Sequence, residues 1–180
     1  MTPAAAHVQV HAVTPALADA VRALQVKPGQ AAYVGDPAFN LENTQLDPLS
    51  EAMAVLADDT VVGFYRLDFA PNTIIGRPFG VPVVGLRAFV IDARVQGRGL
   101  GARAAVAMCE DVRRRHPQRR LLLLAVHCQN RAGIAAYRKA GFVGTGELLA
   151  GGRAGPQQLM LRDLGMPATH AGSGAPMRLA

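Results

Sequence analysis

The stretch that decides the fold is Gln96-Gly97-Arg98-Gly99-Leu100-Gly101, which lies between two apolar segments of different periodicity. Upstream, Val83–Ile91 is rich in β-branched residues and predicts a strand. Downstream, Ala102–Arg115 predicts an amphipathic helix, because apolar residues recur there at helical spacing: Ala105, Met108, Cys109 and Val112. The sequence therefore predicts a strand, a glycine-rich turn and a helix in direct succession.

The glycines of this turn make it a candidate anion-binding site. Glycine adopts positive φ angles at no steric cost and leaves room for a ligand to approach the backbone. The first N–H groups of a helix have no partner within the helix, and the helix dipole favours a negative charge there. We therefore expect a phosphate or pyrophosphate to bind the amides of Arg98, Gly99, Leu100, Gly101 and Ala102. The Arg98 side chain can reach a further phosphate.

A dinucleotide is the second interpretation of the same turn. Gly99, Gly101 and Ala104 satisfy the G-x-G-x-x-A pattern of dinucleotide-binding units. That pattern also needs an acidic residue about 20 positions further on. No Asp or Glu occurs between Asp111 and Glu147, so this requirement is not met. The P-loop pattern is absent, since no Gly-Lys-Ser/Thr occurs.

A second motif follows the helix, and the two together resemble a known family. Gln96–Gly101 resembles the Q/R-x-x-G-x-G/A acetyl-coenzyme A signature of the GNAT superfamily of N-acetyltransferases. Asn130–Phe142 resembles the N-x-x-A-x-x-x-Y-x-K-x-G-F region of that superfamily. Phe89–Asp92 and Val62–Tyr65 are similar to members that acetylate spermidine or diamines, and Asn130–Phe142 is equally similar to ribosomal-protein N-acetyltransferases.

The resemblance implies the GNAT fold, an α/β (α+β) domain with a mixed, mostly antiparallel central sheet of about seven strands flanked by helices. We expect residues 1–165 to form a single N-acetyltransferase domain and residues 166–180 to form a flexible C-terminal tail. Periodicity and turn residues predict the remaining elements: a strand at His7–Val13, a helix from Pro15, a short helix after Asp36, a hairpin of Met53–Ala57 and Thr60–Phe69, a strand at Leu121–Val126, a helix at Asn130–Ala140, and a closing hairpin of Phe142–Leu149 and Gln157–Leu164.

The resemblance also implies acetyl-CoA as co-substrate. The residues that match its binding positions are Phe89, Val90, Ile91, Gln96, Gly97, Arg98, Gly99, Leu100, Gly101, Ala102, Asn130 and Tyr137. In this scheme the Val90 N–H polarises the thioester carbonyl, Asn130 hydrogen-bonds the coenzyme's arm, and Tyr137 is the catalytic acid that protonates the leaving thiolate. Asn130 and Tyr137 are seven positions apart, about two helical turns, so both can face one groove.

The sequence does not identify the group that accepts the proton of the amine. Many relatives have a Glu at one of two strand positions, where this chain has Gly85 and Ala125. His127 is one candidate, because its unperturbed pKa is near neutrality. The other candidates act through water: Glu42, Glu51, Asp68 and Glu147. Proton loss to a water chain without a dedicated residue stays open.

The expected acceptor is a primary amine, first a polyamine or other small amine, and second a protein N-terminus or peptide. We expect Ala31–Leu49 and the closing hairpin to select it, with three acidic residues available to attract a cation: Asp36, Glu42 and Asp47. A third interpretation is a catalytically weak module that binds coenzyme A or nucleic acid. The missing Glu favours that third interpretation, whereas Tyr137 opposes it.

Composition supports a cytoplasmic globular domain. The chain has 180 residues, of which 50% are hydrophobic, so a wholly disordered protein is excluded. Its two cysteines, Cys109 and Cys128, exclude a disulfide-dense scaffold, and no residue spacing indicates a metal site. No membrane span or signal peptide is visible. The net charge of +6 comes in part from five arginines at a helix end, which we interpret as solvated, so no nucleic-acid partner is favoured: Arg113, Arg114, Arg115, Arg119 and Arg120. A homodimer is compatible with this interpretation.

Overall fold

The computed structural model describes residues 6–70, 72–151 and 154–165. Their strands form one seven-stranded sheet, and the predicted mixed fold is confirmed. The strands are β1 (Val8–Ala12), β2 (Ser50–Ala57), β3 (Thr60–Asp68), β4 (Val83–Ile91), β5 (Leu121–His127), β6 (Val143–Leu149) and β7 (Gln157–Asp163). The helices are α1 (Pro15–Arg22), α2 (Ala31–Val34), α3 (Pro37–Leu46), α4 (Leu100–Arg115) and α5 (Arg131–Lys139). The predicted tail, 166–180, lies outside the described residues.

The strand order β1-β2-β3-β4-β5-β7-β6 creates an opening in the middle of the sheet. Strands β4 and β5 are parallel, and all other neighbours in the described sheet are antiparallel. The β4–β5 pairing covers only residues 83–85 of β4 and 121–123 of β5. Since both strands continue beyond these pairs, the sheet is split toward their C-terminal ends.

Strand β4 also carries a bulge in the part that no longer pairs with β5. Arg66 pairs with Arg87 and Phe64 pairs with Val90, so β4 uses one residue more than β3 between these pairs. Ala88 lies in the bulge with φ of 52°. Such a bulge bends the strand locally and re-aims its peptide groups.

Apolar packing covers both faces of the sheet. On one face, α4 and α5 pack on strand residues such as Val84 and Leu122. On the other face, α1 and α3 pack on Phe64 and Val90. Asp36 is the N-cap of helix α3, and its carboxylate accepts the N–H of Phe39 at 2.9 Å, in agreement with the short helix predicted after Asp36.

Of the five arginines at and after the end of α4, Arg113, Arg114 and Arg120 are exposed as expected, whereas Arg115 and Arg119 are partly buried. Arg115 forms ion pairs with Asp111 at 2.8 Å and with Glu51 at 2.7 Å. Arg119 donates to the carbonyl of Val83 at 2.7 Å. These side chains join α4 and the following loop to the sheet. Among the described residues, no helix has the length and apolar character needed to cross a membrane.

Candidate active site

A cleft of about 360 Å³ lies at the opening of the sheet. It is bounded by the end of β4, the N-terminus of α4, one face of α5, and α2 with the residue before it. The residues that line it are Gln30, Tyr33, Val34, Phe89, Val90, Ile91, Gln96, Gly97, Gly99, Leu100, Gly101, Ala102, Asn130, Ala132, Gly133, Ala135, Ala136, Tyr137 and Lys139. The cleft therefore brings together both sequence motifs and strand β4.

The N-terminus of α4 forms one end of this cleft and is open to a ligand. Gly97 and Gly99 have φ angles of 82° and 71°, and Gly99 is the N-cap residue without a side-chain cap. A Cβ atom at either glycine would meet no other atom within 4 Å, so space in front of the turn is empty. Arg98 is exposed and is not among the lining residues. The predicted anion site thus has its backbone amides in the cleft and its arginine at the rim.

Gln96 fixes the turn against the strand and against the segment before α2. Its side-chain amide donates to the carbonyl of Ile91 at 2.8 Å. It also exchanges two hydrogen bonds with the side chain of Gln30, at 2.8 and 3.2 Å. The sequence did not single out Gln30, which lies 66 positions away along the chain.

Near the end of β4, successive residues direct their peptide groups alternately to strand β3 and to the cleft. Asp92 donates its N–H to the carbonyl of Val62 at 2.8 Å, so its peptide groups face β3. Two positions earlier, Val90 pairs with Phe64 and has the same orientation. Ile91, between them, directs its groups to the cleft, in agreement with its bond to Gln96. The Val90 N–H is therefore directed to β3. The expectation that this N–H polarises a thioester carbonyl is wrong.

Helix α5 supplies the second side of the cleft. Asn130 is its N-cap, and the side-chain oxygen accepts the N–H of Gly133 at 3.0 Å. A Cβ at Gly133 would lie 2.7 Å from the side-chain nitrogen of Asn130, which explains glycine where the family pattern has alanine. Because the cap uses the oxygen, the Nδ2 amide group is the part of Asn130 that can bind a ligand.

Tyr137 belongs to α5 and lines the cleft. Its side chain is buried, with 8% of the residue exposed. The ring packs between Phe89 and Phe142, at centroid distances of 5.9 and 5.5 Å. Burial raises the pKa of the Tyr137 hydroxyl above its ordinary value of 10.0. The phenol therefore keeps its proton throughout the physiological pH range and is a donor.

None of the acidic residues considered from the sequence lines the cleft. Most are bound to other groups: Asp36 to the N-terminus of α3, Asp47 to Arg66 at 2.6 Å, Glu51 to Arg115 at 2.7 Å, Asp68 to Arg87 at 3.1 Å, and Glu147 to Arg77 at 2.7 Å. Glu42 is exposed on α3. Gly85 has no room for a longer side chain, because a Cβ would lie 2.4 Å from the hydroxyl of Thr73.

His127 lies behind the cleft and does not line it. Only 7% of the residue is exposed. One ring nitrogen, Nε2, contacts the side-chain amide of Gln157 at 3.1 Å, and Nδ1 is buried without a hydrogen-bond partner in the described structure. The ring lies 5.0 Å from that of Tyr33, which does line the cleft. His127 therefore adjoins the cleft through the Tyr33 ring.

The cysteines do not take part in the cleft. Cys109 is buried in α4 as expected, and burial raises the pKa of its thiol to about 12. Cys128 is partly exposed and does not line the cleft. Among the described residues, no group of three or more His, Cys, Asp or Glu side chains is arranged to hold a metal ion.

The sequence missed several lining residues. Tyr33 and Val34 belong to α2, a four-residue helix whose composition gives no periodic signal. The missed residues of α5 are Lys139 and several small residues. The spacing of the small ones carried a usable signal, since Ala132, Gly133 and Ala136 lie on the same side of the helix as Tyr137. Small residues there leave the space that the cleft occupies.

Comparison with known proteins agrees with the family that the two sequence motifs resemble. The family model of the acetyltransferase (GNAT) family matches residues 18–142. No curated protein matches the chain by sequence. The fold is similar to that of aminoglycoside acetyltransferase AAC(6')-Ib in complex with coenzyme A, at 17% identity and a TM-score of 0.68, covering 87% of this chain and 95% of that one.

Two further solved structures share the fold. Spermidine N-acetyltransferase from Vibrio cholerae, in complex with CoA and spermine, has 14% identity and a TM-score of 0.65, covering 88% of this chain and 96% of that one. The Salmonella typhimurium acetyltransferase that modifies the N-terminal serine of ribosomal protein L7/L12 has 14% identity and a TM-score of 0.63, covering 87% and 94%.

Proposed function

The chain belongs to the GNAT family of acetyltransferases, and from this membership we propose that it transfers an acetyl group from acetyl-CoA to a primary amine. The observation that carries the proposal is the cleft itself. Its one end is an uncapped, glycine-lined helix N-terminus, and its wall holds a buried, protonated phenol. Solved structures of this fold contain coenzyme A or acetyl-CoA.

We propose that the amides of Leu100, Gly101 and Ala102 bind the pyrophosphate of coenzyme A. These N–H groups have no partner within α4, and the dipole of a 16-residue helix points its positive end at the same place. Arg98, exposed at the rim, is available to a further phosphate. The residues present fit the anionic group of the coenzyme in charge and in space.

The arm of the coenzyme would then lie along the unpaired edge of β4. Phe89 and Ile91 are the residues of β4 whose peptide groups face the cleft, given the orientation of Val90 and Asp92. We assign the thioester carbonyl to the N–H of Phe89, because the Phe89 ring contacts Tyr137. A backbone donor of this kind contributes roughly 2.7–4 kcal/mol to transition-state stabilisation.

The transfer itself requires two proton movements. The uncharged amine nitrogen attacks the thioester carbonyl carbon, forming a C–N bond and a tetrahedral oxyanion. The oxyanion collapses with cleavage of the C–S bond, and the sulfur leaves with the electron pair. Tyr137 donates its proton to that sulfur and afterwards regains a proton from water. The nitrogen loses its extra proton to water, since no carboxylate is among the described residues that line the cleft.

The chemistry does not by itself choose the acceptor. A polyamine or other small amine and a peptide N-terminus are both primary amines. The catalytically weak coenzyme-binding module remains the competing function, and the absence of a side-chain base favours it. Tyr137 favours transfer, because binding alone needs no proton donor at the sulfur. The cytoplasmic location and the homodimer expected from the sequence stay predictions.

Calorimetric titration with coenzyme A, followed by a thiol-release assay with acetyl-CoA and a panel of primary amines, tests the proposal. We expect micromolar or tighter binding of the coenzyme and amine-dependent release of thiol. Binding without release for any amine would favour the binding module. No binding of the coenzyme would contradict both functions.

A further inference from the structure

Among the described residues, the side chains that line the cleft around Tyr137 carry no negative charge, which is unusual for a site that binds cations. Of the lining residues that the structure describes, Lys139 alone has a charged side chain, and that charge is positive. The other polar side chains of the lining are neutral amides and phenols: Gln30, Gln96, Asn130, Tyr33 and Tyr137. An ammonium group that enters the cleft would find no counter-ion there.

Three carboxylates outside the cleft are already paired with arginines. Asp47, in the turn before β2, binds Arg66, and Asp68, at the end of β3, binds Arg87. Glu147, on the closing hairpin, binds Arg77. Removing a positively charged group from water without a partner is costly, because the charge loses its hydration. The net charge of +6 adds a long-range repulsion against polycations.

The lack of a base in the cleft makes the basicity of the acceptor important. A lysine-type amine with a pKa near 10.4 is uncharged in about one molecule in 2,500 at pH 7. An α-amino group, with a pKa of roughly 7.7–8.0, is uncharged in about one in seven. The reactive form of the α-amine is therefore roughly 300-fold more abundant, without any help from the protein.

The neutral lining also matches the groups that accompany an α-amine in a peptide. Peptide carbonyls and N–H groups pair with a neutral hydroxyl such as that of Tyr33, whereas a protonated polyamine offers N–H donors only. Tyr33, supported from behind by the ring of His127 at 5.0 Å, gives the first side chain of a peptide an aromatic surface.

From these observations, and resting on the proposed acetyl transfer, we propose that the acceptor is the weakly basic α-amino group of a peptide and not a polyamine. The cleft selects by excluding charge: it admits the neutral amine and has no carboxylate to hold a second or third ammonium. This inference reverses the order of acceptors that the sequence suggested.

The test compares kcat/KM for a short peptide with a free N-terminus, the same peptide with a blocked N-terminus, and spermidine. We expect the free peptide to exceed spermidine by at least tenfold and the blocked peptide to be inactive. The logarithm of kcat/KM for the free peptide should rise with pH and level off near the pKa of its α-amine. Spermidine used more efficiently than the free peptide would overturn the inference.

A charge placed in the cleft gives a second measurement. Gln30→Glu keeps an oxygen that can accept from Gln96 and adds a carboxylate to the lining. We expect it to shift the spermidine-to-peptide ratio of kcat/KM at least tenfold toward spermidine. Gln118→Glu, an equal charge change at an exposed position outside the cleft, should leave the ratio unchanged. Equal ratios for the two variants would contradict the inference.

These outcomes are distinguishable from failure of the proposed function. Efficient turnover of spermidine, in a protein that binds coenzyme A, overturns only the choice of acceptor. A protein that does not bind coenzyme A and releases no thiol with any of the amines overturns the proposed function, and the choice of acceptor with it.

Discussion

The rings of Phe89 and Tyr137 lie 5.9 Å apart, and they connect strand β4 with helix α5 across the cleft. The contact places the Tyr137 ring beside Phe89, in the part of β4 where peptide groups face the cleft. In the proposed function, a thioester that runs along this part of β4 from the glycine turn would reach the Tyr137 hydroxyl. The sheet opening and an aromatic contact would then set the position of the proposed acid.

Tyr137→Phe tests the role of the phenol. The substitution keeps the ring contacts with Phe89 and Phe142 and removes the proton donor, so we expect kcat to fall by about 10²–10³. The dissociation constant of coenzyme A should change less than twofold. Steady-state kinetics and calorimetry measure the two effects separately.

Tyr65→Phe is the matched control. The Tyr65 hydroxyl is buried, lies outside the cleft and has no hydrogen-bond partner within the described structure. Its removal should leave kcat unchanged. A Tyr137→Phe enzyme with the turnover of the unaltered protein would exclude Tyr137 as the acid.

Gly99→Ala tests the anion site at the start of α4. At φ of 71° an alanine costs about 1–2 kcal/mol of backbone strain, and its Cβ projects into open space in front of the turn. We expect coenzyme A to bind at least tenfold more weakly. Gly76→Ala provides the control, because Gly76 has a φ of 67° and open surroundings but does not line the cleft.

The two glycine variants should lose similar stability in urea denaturation, and only Gly99→Ala should lose affinity in calorimetry. Equal affinities would show that the turn does not bind the coenzyme.

Substitutions of Asn130 separate its two functions. Asn130→Asp keeps the oxygen that caps α5 and removes the amide donor, so stability should be maintained while coenzyme affinity falls. Asn130→Ala removes both, and we expect a further loss of about 1 kcal/mol in the free energy of unfolding. Asp36→Ala, which removes the cap of α3, should lower stability without changing affinity. Unchanged binding by Asn130→Asp would exclude a contact with the coenzyme.

The buried thiol of Cys109 predicts a pH dependence of stability. Burial raises its pKa from 9.0 to about 12. Between these values the unfolded chain has lost the thiol proton and the folded chain has kept it, so the free energy of unfolding falls as pH rises, by up to ~1.4 kcal/mol per pH unit. Cys109→Ala lacks this contribution.

Urea denaturation at several pH values between 8 and 11 measures the effect as a difference in slope between the two proteins. A steeper decline for the unaltered protein is expected. Parallel declines would mean that the Cys109 thiol ionises as readily in the folded chain as in the unfolded one.

Local sequence features predicted the elements that carry the site. Strand β4 begins and ends where its β-branched run predicts, and α5 begins directly after Asn130, the first residue of the predicted helix. Helix α4 begins at Leu100, two residues before the predicted Ala102, because Gly99 serves as its N-cap. Periodicity and capping are properties of neighbouring residues, so a single sequence shows them.

Features that depend on long-range pairing were not predictable in the same way. The register of β4 on β3 determines that the peptide groups of Val90 face β3 and that those of Phe89 and Ile91 face the cleft. For this reason the thioester donor that we propose is Phe89 and not the expected Val90. The three-pair contact between β4 and β5 creates the opening, and nothing in either strand's own sequence sets that number. Tyr33 reaches the cleft only through the packing of α2.

The central claim is that backbone amides at the start of α4 bind the pyrophosphate of coenzyme A. Titration of ¹⁵N-labelled protein with coenzyme A tests it most directly, because each amide is observed separately. The claim predicts that the largest changes in amide chemical shift occur at Leu100, Gly101 and Ala102, with smaller changes at Phe89 and Ile91. Saturable binding that leaves these amides unchanged would contradict it.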